Sequence, residues 1–357
     1  MSASGAVGNH GSEPVVRSRA IRLRDALLIG VLAALANYLA LYHQDAAGAD
    51  FTYWWRAGHA LLVGRNPYEV VIPLAARFPF DDFFRYPLPA AIVGIPFSLL
   101  QVRSGAALFV GCGFALAAYG LSATGHWRMG VLISAPAFFV FDNAQWMPLL
   151  LGAALLPNWG WLLASKPTLG AALLLWRPSW RTFWGGAAIC IVGLMLLPSW
   201  PLDWLGILRQ YPSGQYSAPV GFPGGILLLL VLLRWRRPEA RLVAAMTCVP
   251  QNFFLYDQLP LMTIPASQLS LLLFAFWSHV LRAIVIGFAP KSNVLWPISA
   301  DFKSQWFRPF ILLGLYAPAA VMILLRPNEG DAPIWLERWL SKMKIPSWLA
   351  GRAGSPS

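Results

Sequence analysis

The chain has 357 residues, 57% hydrophobic and only 12% charged, with a formal net charge of +12. A soluble domain carries about twice that charged fraction. A water-soluble enzyme is therefore excluded, and an all-α polytopic membrane protein of about ten or eleven transmembrane helices is expected. The 18 tryptophans suit aromatic belts at two water interfaces. Much of the positive charge falls in short segments between apolar runs, where orientation and anionic lipid explain it better than nucleic acid. Cys112, Cys190 and Cys248 lie inside apolar runs without metal spacing, and buried free thiols are expected.

Residues 1–24 read as a polar, basic cytoplasmic arm ending in Arg17, Arg19, Arg22 and Arg24. A secretory signal is the competing reading, but no small-residue cleavage site follows the apolar run. Residues 25–326 form one transmembrane domain whose first span is 26–42. An outer loop, 43–85, follows. It holds Asp45, Asp50, Glu69, Asp81 and Asp82, five of the chain's 15 acidic residues, which makes it the first place to look for chemistry. Within it Phe51, Trp54, Trp55, Gly58 and Leu62 share one face at helical spacing. That predicts an amphipathic interfacial helix with its aromatic face in lipid. It starts at Asp50 and stops near Gly64 and Pro67.

Prolines 87 and 89 open a second span that runs to about residue 100. Arg103 marks a cytoplasmic turn, and 104–122 returns outward. Short apolar segments at 129–141 and 144–157 flank a turn containing Asp142, Asn143 and Gln145. Strict alternation puts that turn on the cytoplasmic side, whereas half-length helices put it at the membrane midplane. The next span, 161–176, carries Lys166 and Pro167 in its middle and is closed by Arg177 and Arg181. Span 183–199 leads to an outer segment, 200–218, and span 220–233 returns to the basic Arg234-Trp235-Arg236-Arg237. Span 240–255 ends at Tyr256-Asp257-Gln258, and another continues to about Trp277. Residues 278–309 read as cytoplasmic and 310–325 as the last span. The tail, 327–357, contains an amphipathic stretch at 334–342 expected on the outer surface.

Ionisable groups in or beside the membrane are costly and tend to be functional. Asp50 is either a general base at the outer surface or an ordinary helix N-cap. Lys166 either meets a lipid phosphate or pairs internally with Asp142 or Asp257. Tyr256, Asp257 and Gln258 either line a sugar site or form a satisfied helix end. Asn143 and Gln145 have the same ambiguity. Arg56, Arg65, Arg85 and Arg209 are outer cations, free to clamp a phosphate or to neutralise Glu69, Asp81 and Asp82.

Asp50-Phe51, Ala57-Gly58, Ala60-Leu61-Leu62, Gly64 and Pro67-Tyr68, followed by Phe84-x-Tyr86-Pro87, resemble the first outer loop of glycosyltransferase family eighty-seven. Asn143-x-Gln145, Lys166-Pro167 and Tyr256-Asp257 follow in the family's order, over residues 22 to 275. Three positions depart from the pattern: Ala144 for Gly, Leu88 where a second Pro is displaced, and Gln258 for His. The resemblance implies a GT-C fold, an active site on the periplasmic face of a bacterial inner membrane, and a polyprenyl-phosphate-linked sugar donor. The acceptor is then a glycolipid or glycan hydroxyl, and no metal or other cofactor is called for. It implies Asp50 as the base, with Tyr68, Arg56, Arg85, Arg209, Asn143, Gln145, Lys166, Tyr256, Asp257 and Gln258 around the substrates. The rival expectation is a lipid-linked-sugar transporter or lipid-binding protein, which predicts paired charges at the midplane and internal repeats.

Overall fold

The computed structural model describes residues 18–44, 48, 50–73, 83–211, 217–251, 253–288 and 307–330. The arm's first 17 residues, Asp45, Asp81, Asp82, most of 278–309 beyond Phe288, and the amphipathic stretch 334–342 lie outside them. Regular structure among the described residues is helical, apart from isolated bridge positions at Ser217, Gln251 and Glu329.

Three helices are long and apolar enough to cross a membrane: α1 (Arg19–His43), α5 (Val102–Ala123) and α12 (Gln268–Phe288). The pair α9 (Trp180–Leu196) and α10 (Trp200–Gln210), bent by 94°, makes a fourth if taken as one span. The other apolar segments among the described residues are shorter and broken, so ten or eleven continuous spanning helices are not found among them. Large apolar side chains face outward on these helices, among them Val31 at 66% exposure, Met195 at 79% and Phe276 at 69%. A monomer in water does not present apolar faces on this scale. They define an all-helical, membrane-embedded protein. The cysteines belong to the same outer surface: Cys112 and Cys248 are exposed and Cys190 is half-buried, correcting the expectation of buried thiols.

The bundle has two ends, set by α1. Its N-terminal end, called lower here, holds Arg22, which donates to Ser122 Oγ (3.2 Å) and the Tyr119 carbonyl (3.0 Å) near the end of α5. Its C-terminal, upper end holds Tyr42, with Arg103 at the start of α5 over its ring at 5.5 Å. α1 and α5 are therefore antiparallel neighbours. Gly30 and Gly111 let their backbones meet, since a Cβ on either would strike the other's carbonyl oxygen. Arg103 thus lies at the end that carries Asp50, and not at the end opposite to it as alternation would have it.

The reason is α4 (Leu88–Ser98), which does not run from end to end. Leu88 packs beside Gly193 near the top of α9, and Phe97 beside Gly105 near the top of α5. Both ends of α4 stay in the upper half. It crosses α2 (Phe51–Leu62) so closely that a Cβ at Gly94 would land on the Trp54 carbonyl oxygen. α2 is the predicted amphipathic helix, stopped at Gly64, whose φ of +68° suits glycine. Its aromatic face is not in lipid. Phe51 and Trp54 are fully buried, packed on Phe97, Phe109 and Trp146.

A 3-10 segment (His126–Ile133) and α6 (Ala135–Asn143) climb from the lower to the upper end. His126 lies by Asp25 (4.0 Å), while Asp142 accepts from Gln44 (3.2 Å) just past α1. The turn at 142–146 is therefore at the upper end, against strict alternation. α7 (Met147–Leu155) then descends beside α5.

Next comes a hairpin rather than a span. The 3-10 segment Pro157–Ser165 rises parallel to α9, with Gly160 against Thr182 and Ala164 facing Gly186. α8 (Pro167–Trp176) turns back down, and Arg241, which also holds the lower-end carbonyls of Trp235 and Arg236, donates to the Leu175 carbonyl at 3.3 Å. The rise is about 18 Å at 3-10 pitch and the descent about 15 Å, half of a hydrocarbon core of roughly 30 Å. Lys166 is at the apex, its backbone outside helical geometry at φ −137° and ψ 78°. Pro167 explains the break: it disfavours helical geometry in the residue before it and starts the next helix well.

The segment Gly225–Arg234 comes down and α11 (Pro238–Cys248) goes up, as expected. The segment Leu255–Thr263 then descends by itself: Tyr256 stacks on Phe139 in α6 (6.1 Å), and the Thr263 carbonyl accepts from Arg128 (3.2 Å). α12 rises again, with Leu271 at Gly130, Ser278 at Ala135 and Arg282 near Asp142 (3.9 Å). The final run α13 (Arg308–Leu324) descends from Phe222 and Phe253 to Arg234, which donates to the Leu324 carbonyl at 3.0 Å. Phe288 and Phe307 therefore flank 289–306 at the upper end, and residue 330 follows at the lower one. The described ends of these two segments, Phe288 with Phe307 and residue 330, thus lie at opposite ends of the bundle.

Candidate functional site

Asp50 precedes α2 in the position of an N-cap, but its side chain makes no capping hydrogen bond. Its own backbone is already helical, with φ −63° and ψ −22°. A capping side chain needs extended backbone at its own residue to fold back onto the next turn. The ordinary N-cap reading of Asp50 therefore fails. Its carboxylate instead accepts a hydrogen bond from the Gln145 side-chain amide, across 95 residues of sequence.

Gln145 is buried at the α6–α7 turn, and the turn is made by Ala144 in a left-handed conformation at φ 48°. Three polar atoms in this neighbourhood are buried and have no partner among the described residues: Gln145 Oε1, Trp54 Nε1 and Trp146 Nε1. The two indoles pack against each other, tilted by 47° with ring centres 4.9 Å apart, and Phe109 and Tyr86 close the cluster. Buried polar groups in folded proteins are nearly all paired. One acceptor and two donors beside a carboxylate match the hydrogen-bonding pattern of a polyol.

Asn143, at the same turn, donates to the Phe139 carbonyl in its own helix (3.0 Å) and is not turned to Asp50. Tyr68 is buried and donates to the Tyr86 carbonyl (3.0 Å), fastening the short helix α3 (Pro67–Val70) to the start of α4. Burial, with Asp203 adding to it, raises the Tyr68 phenol far above its ordinary range, so it stays a protonated donor. Asn66 caps α3 and reaches Asp203 of α10 (3.0 Å).

Arg56 donates to the carbonyls of Val70 (3.4 Å) and Ile72 (3.1 Å), holding the chain after α3. With Arg65 and His59 it lines a pocket of about 470 Å³ on the far face of α2. Arg85 is half-buried, and its carbonyl accepts from Trp204 of α10 at 3.0 Å. Arg209 is exposed near the end of α10.

A second polar centre lies at the hairpin apex. Lys166 Nζ donates to Asp257 Oδ1 at 2.7 Å, with both side chains buried, at 9% and 1% exposure. The ammonium also sits over the Tyr256 ring at 5.6 Å. The internal pair is thus the alternative Lys166 takes, and its partner is Asp257 rather than Asp142. Gln258 continues the network. It donates to Gln251 Oε1 (2.9 Å), and Gln251 donates to the Tyr316 hydroxyl (2.7 Å). Gln251 and Tyr316 were not among the sequence candidates. A lone glutamine before an aromatic pair and a lone tyrosine in an apolar run carry no pattern that pairing alone would reveal.

The structure therefore joins Asp50 with Gln145, and Lys166 with Asp257, Tyr256 and Gln258. Asn143, Tyr68 and Arg56 make further contacts of their own, to the carbonyls of Phe139, of Tyr86, and of Val70 and Ile72. Among the described residues no group of three His, Cys, Asp or Glu side chains is placed to hold a metal. No protein-family profile, curated protein or solved structure matches the chain.

Proposed function

We propose that the chain is an inverting, lipid-dependent glycosyltransferase of the GT-C type, akin to glycosyltransferase family eighty-seven. In this reading the lower end, with Arg22, Arg128, Arg177, Arg234, Arg237 and Arg326, is cytoplasmic by the positive-inside rule. The upper end with Asp50 then faces the periplasm of a bacterial inner membrane, crossed by the long helices α1, α5 and α12, with the hairpin at 157–176 re-entering. The observation that carries the reading is Asp50: its carboxylate does not cap α2 and is held by Gln145 beside unpartnered buried donors and an acceptor.

In the proposed reaction the Asp50 carboxylate takes the proton of an acceptor hydroxyl on a glycolipid or glycan. That oxygen attacks the anomeric carbon of a polyprenyl-phosphate-linked hexose or pentose from the face opposite the phosphate. The new glycosidic C–O bond forms as the bond to the phosphate oxygen breaks, and the electron pair leaves with the polyprenyl phosphate. Because Lys166 is engaged by Asp257, the cations left to stabilise the leaving phosphate are upper-end arginines. Arg56 and Arg65, which share a pocket with His59, are one such grouping.

The test is transfer in purified protein reconstituted with labelled polyprenyl-phosphate sugar and a glycolipid acceptor. Wild type should form a new glycoside, and Asp50→Asn should lower the rate by roughly 10²–10⁴-fold. Full activity in that variant ends the base assignment.

One observation favours the transporter reading as a second possibility. A buried charge pair at a broken, half-depth hairpin is what carriers use to bind and move a charged cargo. Movement of labelled carrier across the membrane with no glycoside formed would select it.

A further inference from the structure

We infer that the lower half of the bundle holds a binding site for an anionic phospholipid. It is a lateral groove of about 850 Å³ between α1 on one side and the rising strand of the hairpin on the other. α5 and α7 form its floor through residues such as Leu116 and Leu149. The groove exists because α4 stays in the upper half. Ile92, Pro96 and Phe97 of α4 roof it, and nothing among the described residues fills the space beneath.

The lining is apolar except at the lower mouth, where Arg19, Arg181 and Asn158 meet Trp159. Arg19 and Arg181 are exposed, and among the described residues neither has a carboxylate or hydrogen-bond partner. They come from different elements, the first turn of α1 and the first turn of α9, so the mouth is built by the fold and not by a run of basic sequence.

Charge and depth together fix the occupant. From Arg19 to Leu27 the wall of α1 climbs about 12 Å at helical rise, close to one leaflet of a bilayer whose hydrocarbon core is roughly 30 Å thick. A phosphate between the two guanidinium groups therefore leaves its acyl chain lying along Leu23 and Leu27 toward α4. Arginine's planar fork suits the phosphate oxygens, and Trp159, half exposed, sits at headgroup level. The site is at the opposite end from Asp50 and does not depend on sugar transfer.

The experiment is native mass spectrometry of the full chain released from nanodiscs, with chain-matched phosphatidylglycerol or phosphatidylcholine as the probe lipid. Wild type should retain phosphatidylglycerol about thirtyfold better, from roughly 1 kcal/mol for each of the two basic residues at an anionic headgroup. Arg19→Gln with Arg181→Gln should erase the preference. Arg19→Lys with Arg181→Lys should keep most of it. Leu27→Trp, which fills the groove at an exposed position without touching charge, should lower retention as well. Equal retention of the two lipids by wild type overturns the proposal, and so does an unchanged preference in the double glutamine variant. Displacement of phosphatidylglycerol by polyprenyl phosphate at equal concentration would make the carrier the occupant and overturn the phospholipid assignment.

Discussion

Two carboxylates in this bundle are treated in opposite ways. Asp257 is 1% exposed and faces an ammonium 2.7 Å away, inside a network that runs through Gln258 and Gln251 to Tyr316. Asp50 is half-buried at a loop–helix junction, in contact with an amide and next to buried polar atoms that lack partners. The first is a closed arrangement, whose charge is compensated where it stands. The second is held by a neutral amide and lies outside the Lys166 pair. A carboxylate's position in sequence does not separate these roles, but what its oxygens touch does.

The comparison breaks most readily at Asp50. Asp50→Asn should cost up to four orders of magnitude in transfer, yet shift stability by no more than about 1 kcal/mol, because the new side-chain oxygen still accepts from Gln145. A large loss of stability in thermal unfolding of reconstituted protein would make Asp50 structural, like Asp257. Next is Lys166→Met, which strands the Asp257 carboxylate. A loss of about 3–5 kcal/mol is expected, largely restored when Asp257→Leu is added. If the single variant is as stable as wild type, the centre is open to solvent and the contrast disappears.

Gly94→Ala sharpens the upper site from a distance. Its Cβ would collide with the Trp54 carbonyl oxygen, backbone that cannot swing aside. A cost of about 1–3 kcal/mol is expected, together with slower transfer, since Trp54 belongs to the cluster under Asp50. The smallest effect belongs to Ala144→Gly. It relieves about 1 kcal/mol of left-handed strain but loosens the unfolded chain by nearly as much, so a gain of about 0.5 kcal/mol at most is expected. A clear destabilisation there would mean that the turn presenting Gln145 is not left-handed.

Much of this was legible in the residues. Asp50, Gly64 and Pro67 bounded α2 and opened α3 as the punctuation rules require. Arg234 to Arg237 marked an end of the bundle, and Lys166 required a partner. What hydropathy could not tell was direction. An apolar run such as 88–98 reads the same whether it crosses a bilayer or lies across one half of it. The run through 161–176 reads as one span, although Pro167 folds it in two. Leu255–Thr263 and α12 likewise merge into one apolar stretch, although they run in opposite directions. Each such misreading changed the end of the bundle to which its neighbours were assigned. The pairing of Asp50 with Gln145 was equally out of reach, because it depends on the 142–146 turn arriving at the upper end.

The close approach of Gly94 to Trp54 has a mechanical corollary. Two helices in backbone contact cannot slide or tilt independently, so α2 and α4 move as one plate. That plate bears a carboxylate on its rim and forms the ceiling of a greasy recess below. Any force that lifts the ceiling must also displace the rim.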